Sequence, residues 1–484
     1  MPLTRAGGGA VERTPELGAF RPVQFGRVFQ SIELKPMTNP HPEIPRFVYV
    51  AAGIAAIGGL IFGYDVVVIS GAILFIKQQF ALSPTVEEVV VSAVVFGALV
   101  GAAGGGPLAD RFGRRIVLML VAVIFVIGAL STSLASTVTW IIVGRVIVGV
   151  SVGMVSMAAP LYISEISPDN ARGRLVSLFI VGSSCGALIA FLVNYAFSAT
   201  HAWRWMFGLG AIPAVILGIG MTFLPETPRW LASHGLVDKA RTVLQRIRGT
   251  ATVEDEIRSI QAGLTQHKGT WAELMSPVVR PALITGVGLG ICQRVTGINL
   301  GFFYAPTIFE LAGFKSAAVD TMASVGVGVT MVLMTIVAMQ LLDRIGRRPL
   351  LLFGFAGMVL SLGVLGLAFQ APHRGFLGGV AVGSLMLLVG SWMIGPGTAT
   401  FLLISEIYPL KIRGTAMSIA TVALWAGYLL STLTFLTLIQ TLGRAGTFWL
   451  YGLLGIGAWI FAYLFVPETK GKSLEEIQAT WAHR

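Results

Sequence analysis

Charge is scarce in this 484-residue chain: 12% of its residues are Asp, Glu, Lys or Arg, where soluble globular proteins carry roughly 25%. With 55% hydrophobic residues, that shortage excludes a mostly soluble protein. Cysteine is nearly absent. Cys185 and Cys292 are the two present, both inside apolar runs, so no disulfide framework follows. The six histidines (His41, His201, His234, His267, His373 and His483) all fall outside the apolar runs. This excludes a buried histidine metal cluster or proton relay, and no metal or cofactor is expected. No Walker-type phosphate loop occurs, which argues against an ATP-driven pump. The first 46 residues are polar and Pro-rich, with no apolar core followed by a cleavage site. They read as a tail without a signal peptide, the first apolar run itself directing insertion.

What is abundant is long apolar sequence. Twelve stretches approach or exceed the ~18–20 residues needed to cross a bilayer: 47–76, 88–108, 116–136, 138–163, 175–198, 203–224, 280–312, 319–342, 349–369, 376–404, 414–439 and 447–466. The link between the third and fourth is very short. The 59 glycines do not read as disorder, because many sit inside these stretches at small-xxx-small spacing. Examples are Gly59/Gly63, Gly97/Gly101, Gly149/Gly153, Gly182/Gly186, Gly286/Gly290 and Gly379/Gly383. Small residues let helices approach closely where lipid gives no hydrophobic push between them.

The formal net charge of +11 suggests nucleic acid until its distribution is read. If both termini are cytoplasmic, inner segments hold 27 of the 34 Lys and Arg residues and outer loops five: Lys77, Arg204, Lys315, Arg374 and Arg444. Arg145 and Arg294 lie within spans. This positive-inside bias fixes orientation in a plasma (inner) membrane, so the partners are a lipid bilayer and no nucleic acid.

The chain also repeats itself. Asp110-Arg111-Phe112-Gly113-Arg114-Arg115 returns as Asp343-Arg344-Ile345-Gly346-Arg347-Arg348, 233 residues on. Glu165 with Arg172-Gly173 returns as Glu406 with Arg413-Gly414, and Pro225-Glu226-Thr227 as Pro467-Glu468-Thr469. Three unrelated motifs recurring in one order imply a duplicated half-domain, as in many secondary transporters. The expected organisation is an N-terminal tail (1–46), a six-helix half (47–224), an intracellular helical linker (225–279), a second six-helix half (280–467) and a C-terminal tail (468–484). Asp238–Arg248 and Val253–Leu264 suit short amphipathic helices in the linker, and Trp230 and Trp271 suit an interfacial location or packing within it. Two spans carry built-in breaks. One is Thr296-Gly297-Ile298-Asn299 followed by Pro306; the other is Gly395-Pro396-Gly397. Proline removes a backbone donor and glycine eases unusual dihedrals, which gives either moving gates or static kinks.

Ionisable groups inside a membrane cost at least ~2.5–3.5 kcal/mol and are functional candidates by default. Asp65 lies about 16 Å, and Arg145 about 10 Å, from the outer ends of their spans at 1.5 Å per residue. Such depths allow them to pair. Burial favours a protonated carboxyl and a neighbouring arginine favours the carboxylate. A pair that separates and rejoins therefore couples proton flow to transport; the alternative is a permanent structural ion pair. Arg294 is the third such charge. On an unbroken helix Gln293 and Asn299 would point about 120° apart, and a break near Gly297 would bring them into one cavity.

These motifs, together with Gly63-Tyr64-Asp65, Pro225-Glu226-Thr227-Pro228-Arg229-Trp230-Leu231 and Pro467-Glu468-Thr469-Lys470-Gly471, resemble the sugar porter family of the major facilitator superfamily over residues 47–477. The resemblance implies an all-α polytopic fold of twelve transmembrane helices in two six-helix halves, working by alternating access. It implies that Asp65 and Arg145 match the proton-coupling pair of the proton-driven members, since facilitative glucose carriers of the family generally lack that aspartate. It also implies a cytoplasmic gate of salt bridges formed by Asp110, Arg114, Glu165, Arg172, Glu226, Arg229, Asp343, Arg347, Glu406, Arg413 and Glu468. Each of these also has a plainer reading as a solvated loop charge.

The substrate site departs from that pattern. Ile180, Arg294, Phe303, Met331, Phe401 and Leu424 stand where polar residues, a tyrosine or a tryptophan are usual; Gln293, Asn299 and Trp425 remain. Arg294 has three readings: a contact to a substrate carboxylate, an internal ion pair with Asp65 or another acid, or a sugar contact replacing glutamine. The expected substrate contacts are Phe62, Gln293, Arg294, Asn299, Phe303, Phe401 and Trp425. The resulting expectation is not an enzyme but a secondary active transporter, functional as a monomer, moving a sugar, polyol or sugar acid by proton symport. An exporter of apolar or anionic compounds, or an uncoupled facilitative carrier, is the alternative. A nutrient sensor is disfavoured by the short C-terminal tail.

Overall fold

The computed structural model describes residues 44–250, 252–265, 271–276, 279–314, 316–370, 377–408, 412–472 and 476. Among these no strand occurs. Apolar spans must satisfy every backbone polar group internally, and helices do so within one segment. The first half comprises α1 (Arg46–Gln79), α2 (Pro84–Phe112), α3 (Arg114–Ser133), α4 (Val138–Ile166), α5 (Arg172–Ser198) and a sixth span split into α6 (Trp203–Gly208) and α7 (Ala211–Thr222). Four short helices follow: α8 (Pro228–Ser233), α9 (Val237–Arg248), α10 (Glu254–Thr265) and α11 (Trp271–Leu274). The second half comprises α12 (Arg280–Val295), α13 (Ile298–Phe303), α14 (Ala305–Leu311), α15 (Ala317–Ile345), α16 (Arg347–Gln370), α17 (Leu377–Ile394), α18 (Pro396–Ile407) and α19 (Arg413–Phe465).

The twelve apolar stretches map onto these helices. The broken seventh is α12 to α14, the broken tenth is α17 with α18, and the last two share α19 across a bend at Gly443, where φ is +73°. Both breaks have local causes. Gly297 takes the left-handed region at φ +84° and caps α13. Gly395 departs from helical dihedrals immediately before Pro396. Helix starts carry their own signals. Ser83, Thr137, Thr227 and Ser316 accept backbone N–H bonds as N-caps of α2, α4, α8 and α15.

Within the first half α1 packs on α5 and α4 on both α2 and α3; in the second, α19 packs on α12 and α16. The halves meet along α5 with α15 and α2 with α19. Close approach relies on the paired glycines. A Cβ at Gly59 or Gly63 would strike the backbone carbonyls of Phe179 or Ser183, and one at Gly97 or Gly101 those of Val146 or Val150. The spacing misleads at Gly379 and Gly383, where a Cβ would meet nothing within 4 Å. Spacing puts small residues on one face without saying what that face packs against.

Candidate functional site

The duplicated motifs fold into duplicated atoms. The turn between α2 and α3 needs positive φ at Gly113 (+98°), and that between α15 and α16 needs it at Gly346 (+108°). The freed N–H groups then converge on one carboxylate in each half. Glu226 accepts from the backbone of Arg114 (3.0 Å), Arg115 (3.0 Å) and Thr227 (2.9 Å). Glu468 accepts from Arg347 (3.2 Å), Arg348 (3.1 Å) and Thr469 (2.9 Å). A side chain at Gly113 would collide with the Glu226 carboxylate, so glycine is required twice over. Burial pushes the Glu226 carboxyl up, against the opposing pull of its N–H partners.

Beside each turn an arginine meets a second glutamate. Arg114 lies 3.1 Å from Glu165, and Arg347 lies 3.1 Å from Glu406. Thr227 and Thr469 donate their hydroxyls to those glutamates, at Glu165 Oε2 and Glu406 Oε2. Asp110 adds an ion pair with Arg114 at 3.1 Å; the side chain of Asp343 lies outside the described residues. The other gate candidates make no direct ion pair with these clusters among the described residues. Arg172 pairs with Asp169 and donates to the Ser164 carbonyl. Arg413 donates to the Tyr408 carbonyl. Arg229 is exposed. Trp230 donates its indole N–H to the Asp110 carbonyl and stacks on His234; the side chain of Trp271, like Lys315 and Arg374, lies outside the described residues.

On the face opposite these turns, contacts cross between the halves. Lys77 of α1 meets Glu310 of α14 at 2.6 Å. Glu88 of α2, buried, accepts from the backbone N–H (2.8 Å) and hydroxyl (2.6 Å) of Thr437 on α19. Midway, Ser184 and Thr335 hydroxyls join α5 to α15 at 2.7 Å. None of these partners is apparent from local sequence. Acidic residues at the apolar mouth of α2 are the one signal that hints at Glu88.

Asp65 and Arg145 come together in the middle of the first half. Arg145 Nη1 donates to Asp65 Oδ1 at 2.6 Å, and the side chains are 0% and 4% exposed. Asp65 Oδ2 and Arg145 Nε and Nη2 have no hydrogen-bond partner. The Phe207 ring lies 5.4 Å from the guanidinium carbon. That ring is set by the α6–α7 break, where Tyr64 donates to the Met206 carbonyl.

The second cluster belongs to the other half. Gln293, Arg294 and Asn299 flank the break at Gly297 and are all buried. Gln293 donates to the Pro396 carbonyl at 2.7 Å, and Asn299 donates to Ser431. Gln293 Oε1, Arg294 Nε and Asn299 Oδ1 are buried without partners. The Arg294 guanidinium sits over two aromatic faces, Tyr428 at 4.1 Å and Trp392 at 5.3 Å. Among the described residues no carboxylate pairs with it. Cation–π contacts are worth ~0.5–2 kcal/mol each, whereas an unpaired buried ion costs several kcal/mol. The aromatic faces therefore offset only part of the cost of this charge.

Aromatic rings join the two clusters. Phe62 meets Trp425 edge-on at 6.3 Å, Trp425 stacks on Tyr428 at 5.5 Å, and Phe303 lies 5.5 Å from Tyr428. Phe401 is 46% exposed and stands outside this group. Tyr428, Trp392 and Ser431 are missed by motif reading. Helical spacing is the signal for two of them, since Tyr428 and Ser431 follow Trp425 at three-residue steps on one face of α19; Trp392, on α17, has no such signal.

The family model described as "Sugar (and other) transporter" matches residues 51–481. A galactose-proton symporter of Escherichia coli (strain K12) is 40% identical over 431 residues, 88% of this chain and 92% of that protein. A D-xylose transporter of Levilactobacillus brevis is 40% identical over 434 residues, 88% and 94% of the two chains. Among solved structures, the major facilitator superfamily proton:xylose symporter XylE bound to 6-bromo-6-deoxy-D-glucose matches with a TM-score of 0.76 and 32% identity, covering 90% of this chain and 99% of that one.

Proposed function

We propose, since the chain belongs to the sugar porter family of the major facilitator superfamily, that it carries a sugar or closely related polar solute across a plasma (inner) membrane in symport with protons. It does so as a monomer, with both termini on the cytoplasmic side. The observation that carries the reading is the Asp65–Arg145 pair, which is buried, joined at 2.6 Å, and has one carboxylate oxygen without a partner. Contact with the guanidinium favours the charged carboxylate. Released from it inside a dry site, the carboxylate takes one, because burial disfavours the charged form.

The substrate groups are Gln293, Arg294 and Asn299, flanked by Phe62, Phe303 and Trp425. Three unpartnered polar atoms among them suit hydroxyls, since buried polar atoms are nearly always hydrogen-bonded. Positive-inside charge supports placing the paired Asp-Arg-x-Gly-Arg-Arg turns in the cytoplasm. The contacts from Lys77 and Glu88 then close the outer side, which supports an inward-facing state. The clusters around Glu226 and Glu468 each tie one half together and act as the cytoplasmic gate when the halves rock.

The test is uptake by purified protein in liposomes. Hexoses and pentoses should accumulate when the inside is made alkaline and should only equilibrate without a gradient. Equilibration that ignores the gradient leaves an uncoupled carrier instead.

A further inference from the structure

We infer that Arg294 selects a substrate bearing a carboxylate, so that the preferred cargo is an anionic sugar such as a uronate or aldonate and not the neutral sugar. The inference rests on the symport reading above and refines the chemistry of the same cluster.

Four observations converge. Arg294 is 5% exposed and sits at the end of α12 beside the Gly297 break. Its guanidinium carbon lies over the rings of Tyr428 at 4.1 Å and Trp392 at 5.3 Å, which holds the group in place. Its Nε has no hydrogen-bond partner. The acid that could neutralise it from within, Asp65, is engaged by Arg145, so an internal pair with Asp65 is not formed. The positive charge is therefore buried, held between two rings and without a protein counter-ion among the described residues. A planar guanidinium matches a carboxylate through parallel N–H donors.

The neighbouring orphaned atoms complete the recognition. Gln293 Oε1 and Asn299 Oδ1 are acceptors without partners, and hydroxyls on the same ligand would donate to them. One carboxylate and several hydroxyls are what a uronate or aldonate presents. A neutral hexose would satisfy the two acceptors but leave Arg294 uncompensated.

Charge accounting gives a second consequence. A neutral sugar moving with one proton carries a net positive charge. A monoanion moving with one proton carries none. Uptake of the acid should therefore follow the pH gradient but not the membrane potential.

The experiment uses the full chain in liposomes, with potential set by potassium and valinomycin. D-glucuronate, D-galacturonate and D-gluconate are compared with D-glucose, D-galactose and D-xylose, in the wild type and in Arg294→Gln. The expected result is at least tenfold lower half-saturation for an acid than for its neutral counterpart, with acid uptake indifferent to potential. Arg294→Gln should erase that preference, its folding being checked independently by a monodisperse elution profile and a cooperative melting transition in detergent. Neutral sugar preferred by the wild type, with the same ratio in Arg294→Gln, overturns the inference and leaves proton–sugar symport standing. No uptake of any of the six by folded wild type overturns both. Arg294→Lys, which keeps the charge but not the parallel donors, should retain part of the preference.

Discussion

Asp65→Asn is the most informative single change, because asparagine has the shape of a protonated aspartate and cannot release a proton. The wild-type pair is nearly dry, with Arg145 fully buried and Asp65 3% exposed. Removing one partner of a buried ion pair costs about 3–5 kcal/mol. The asparagine carbonyl still accepts from Arg145 Nη1, so the loss should lie at the low end of that range. The folded protein should survive with a lowered melting temperature in detergent. The transport consequence is larger and separable. One pH unit is worth 1.36 kcal/mol per proton, so a one-unit gradient, inside alkaline, drives about tenfold accumulation at one proton per substrate. Asp65→Asn should give none, while exchange of labelled for unlabelled substrate, which needs no net proton movement, continues at a rate within a few-fold of wild type. Both are read in one liposome preparation. If Asp65→Asn still concentrates substrate several-fold in that gradient, Asp65 is not the coupling group and the pair is structural.

The remaining expectations concern gating, packing and coupling. Glu88→Ala removes a carboxylate that accepts two hydrogen bonds from Thr437 across the halves, worth about 1.5–3 kcal/mol. With both native cysteines replaced and a reporter cysteine at Thr307, which lines a cavity of about 400 Å³ on that face, thiol labelling should rise tenfold or more. Lys77→Met, which breaks a half-exposed pair worth about 0–1 kcal/mol, should raise it less than about fivefold; the reverse ranking would refute the assignment. Gly63→Ala drives a Cβ into the Ser183 carbonyl and should lower stability by about 1–3 kcal/mol, whereas Gly383→Ala should leave the melting temperature unchanged. Trp425→Leu should lower substrate-driven proton uptake, followed with a trapped pH dye, more than it lowers substrate affinity; equal losses would make the ring a binding contact only.

Sequence carried the fold further than it carried the site. The twelve spans are legible because each is a contiguous apolar run. The Glu226 and Glu468 clusters are legible because turn glycine, arginine and glutamate lie in short motifs written twice. Asp65 and Arg145 are legible because a charge in an apolar run has few possible partners. What stayed hidden depends on contacts between distant segments. Glu88 and Thr437 are separated by 349 residues and neither belongs to a motif. The stacking of Tyr428 and Trp392 on Arg294 depends on where the α12 break aims that arginine, which no local pattern states. The same ignorance of neighbours explains the glycines, since Gly379/Gly383 has the spacing of Gly59/Gly63 without its contact.

The duplication was kept in the gates and lost at the centre, and that asymmetry bears on mechanism. Both halves hold the same turn, the same arginine–glutamate pair and the same threonine donor. The buried ion pair belongs to α1 and α4, and the cluster of Gln293, Arg294 and Asn299 with its unpartnered atoms belongs to α12 and α13. In the proposed mechanism proton and substrate are handled in different halves, and neither senses the other except across the interface. The described bridge is aromatic. Phe62 lies three residues before Asp65, one helical turn away on the same face, and touches Trp425, which stacks on the Tyr428 that covers Arg294. A substrate that pulls Arg294 off Tyr428 would disturb that stack, and a rocking α1 that parts Asp65 from Arg145 would disturb it from the other end. Spatial continuity alone does not establish coupling. A double-mutant cycle between Trp425 and Asp65 would, because independent sites give additive losses, whereas a shared two-state element makes the second loss smaller than the first.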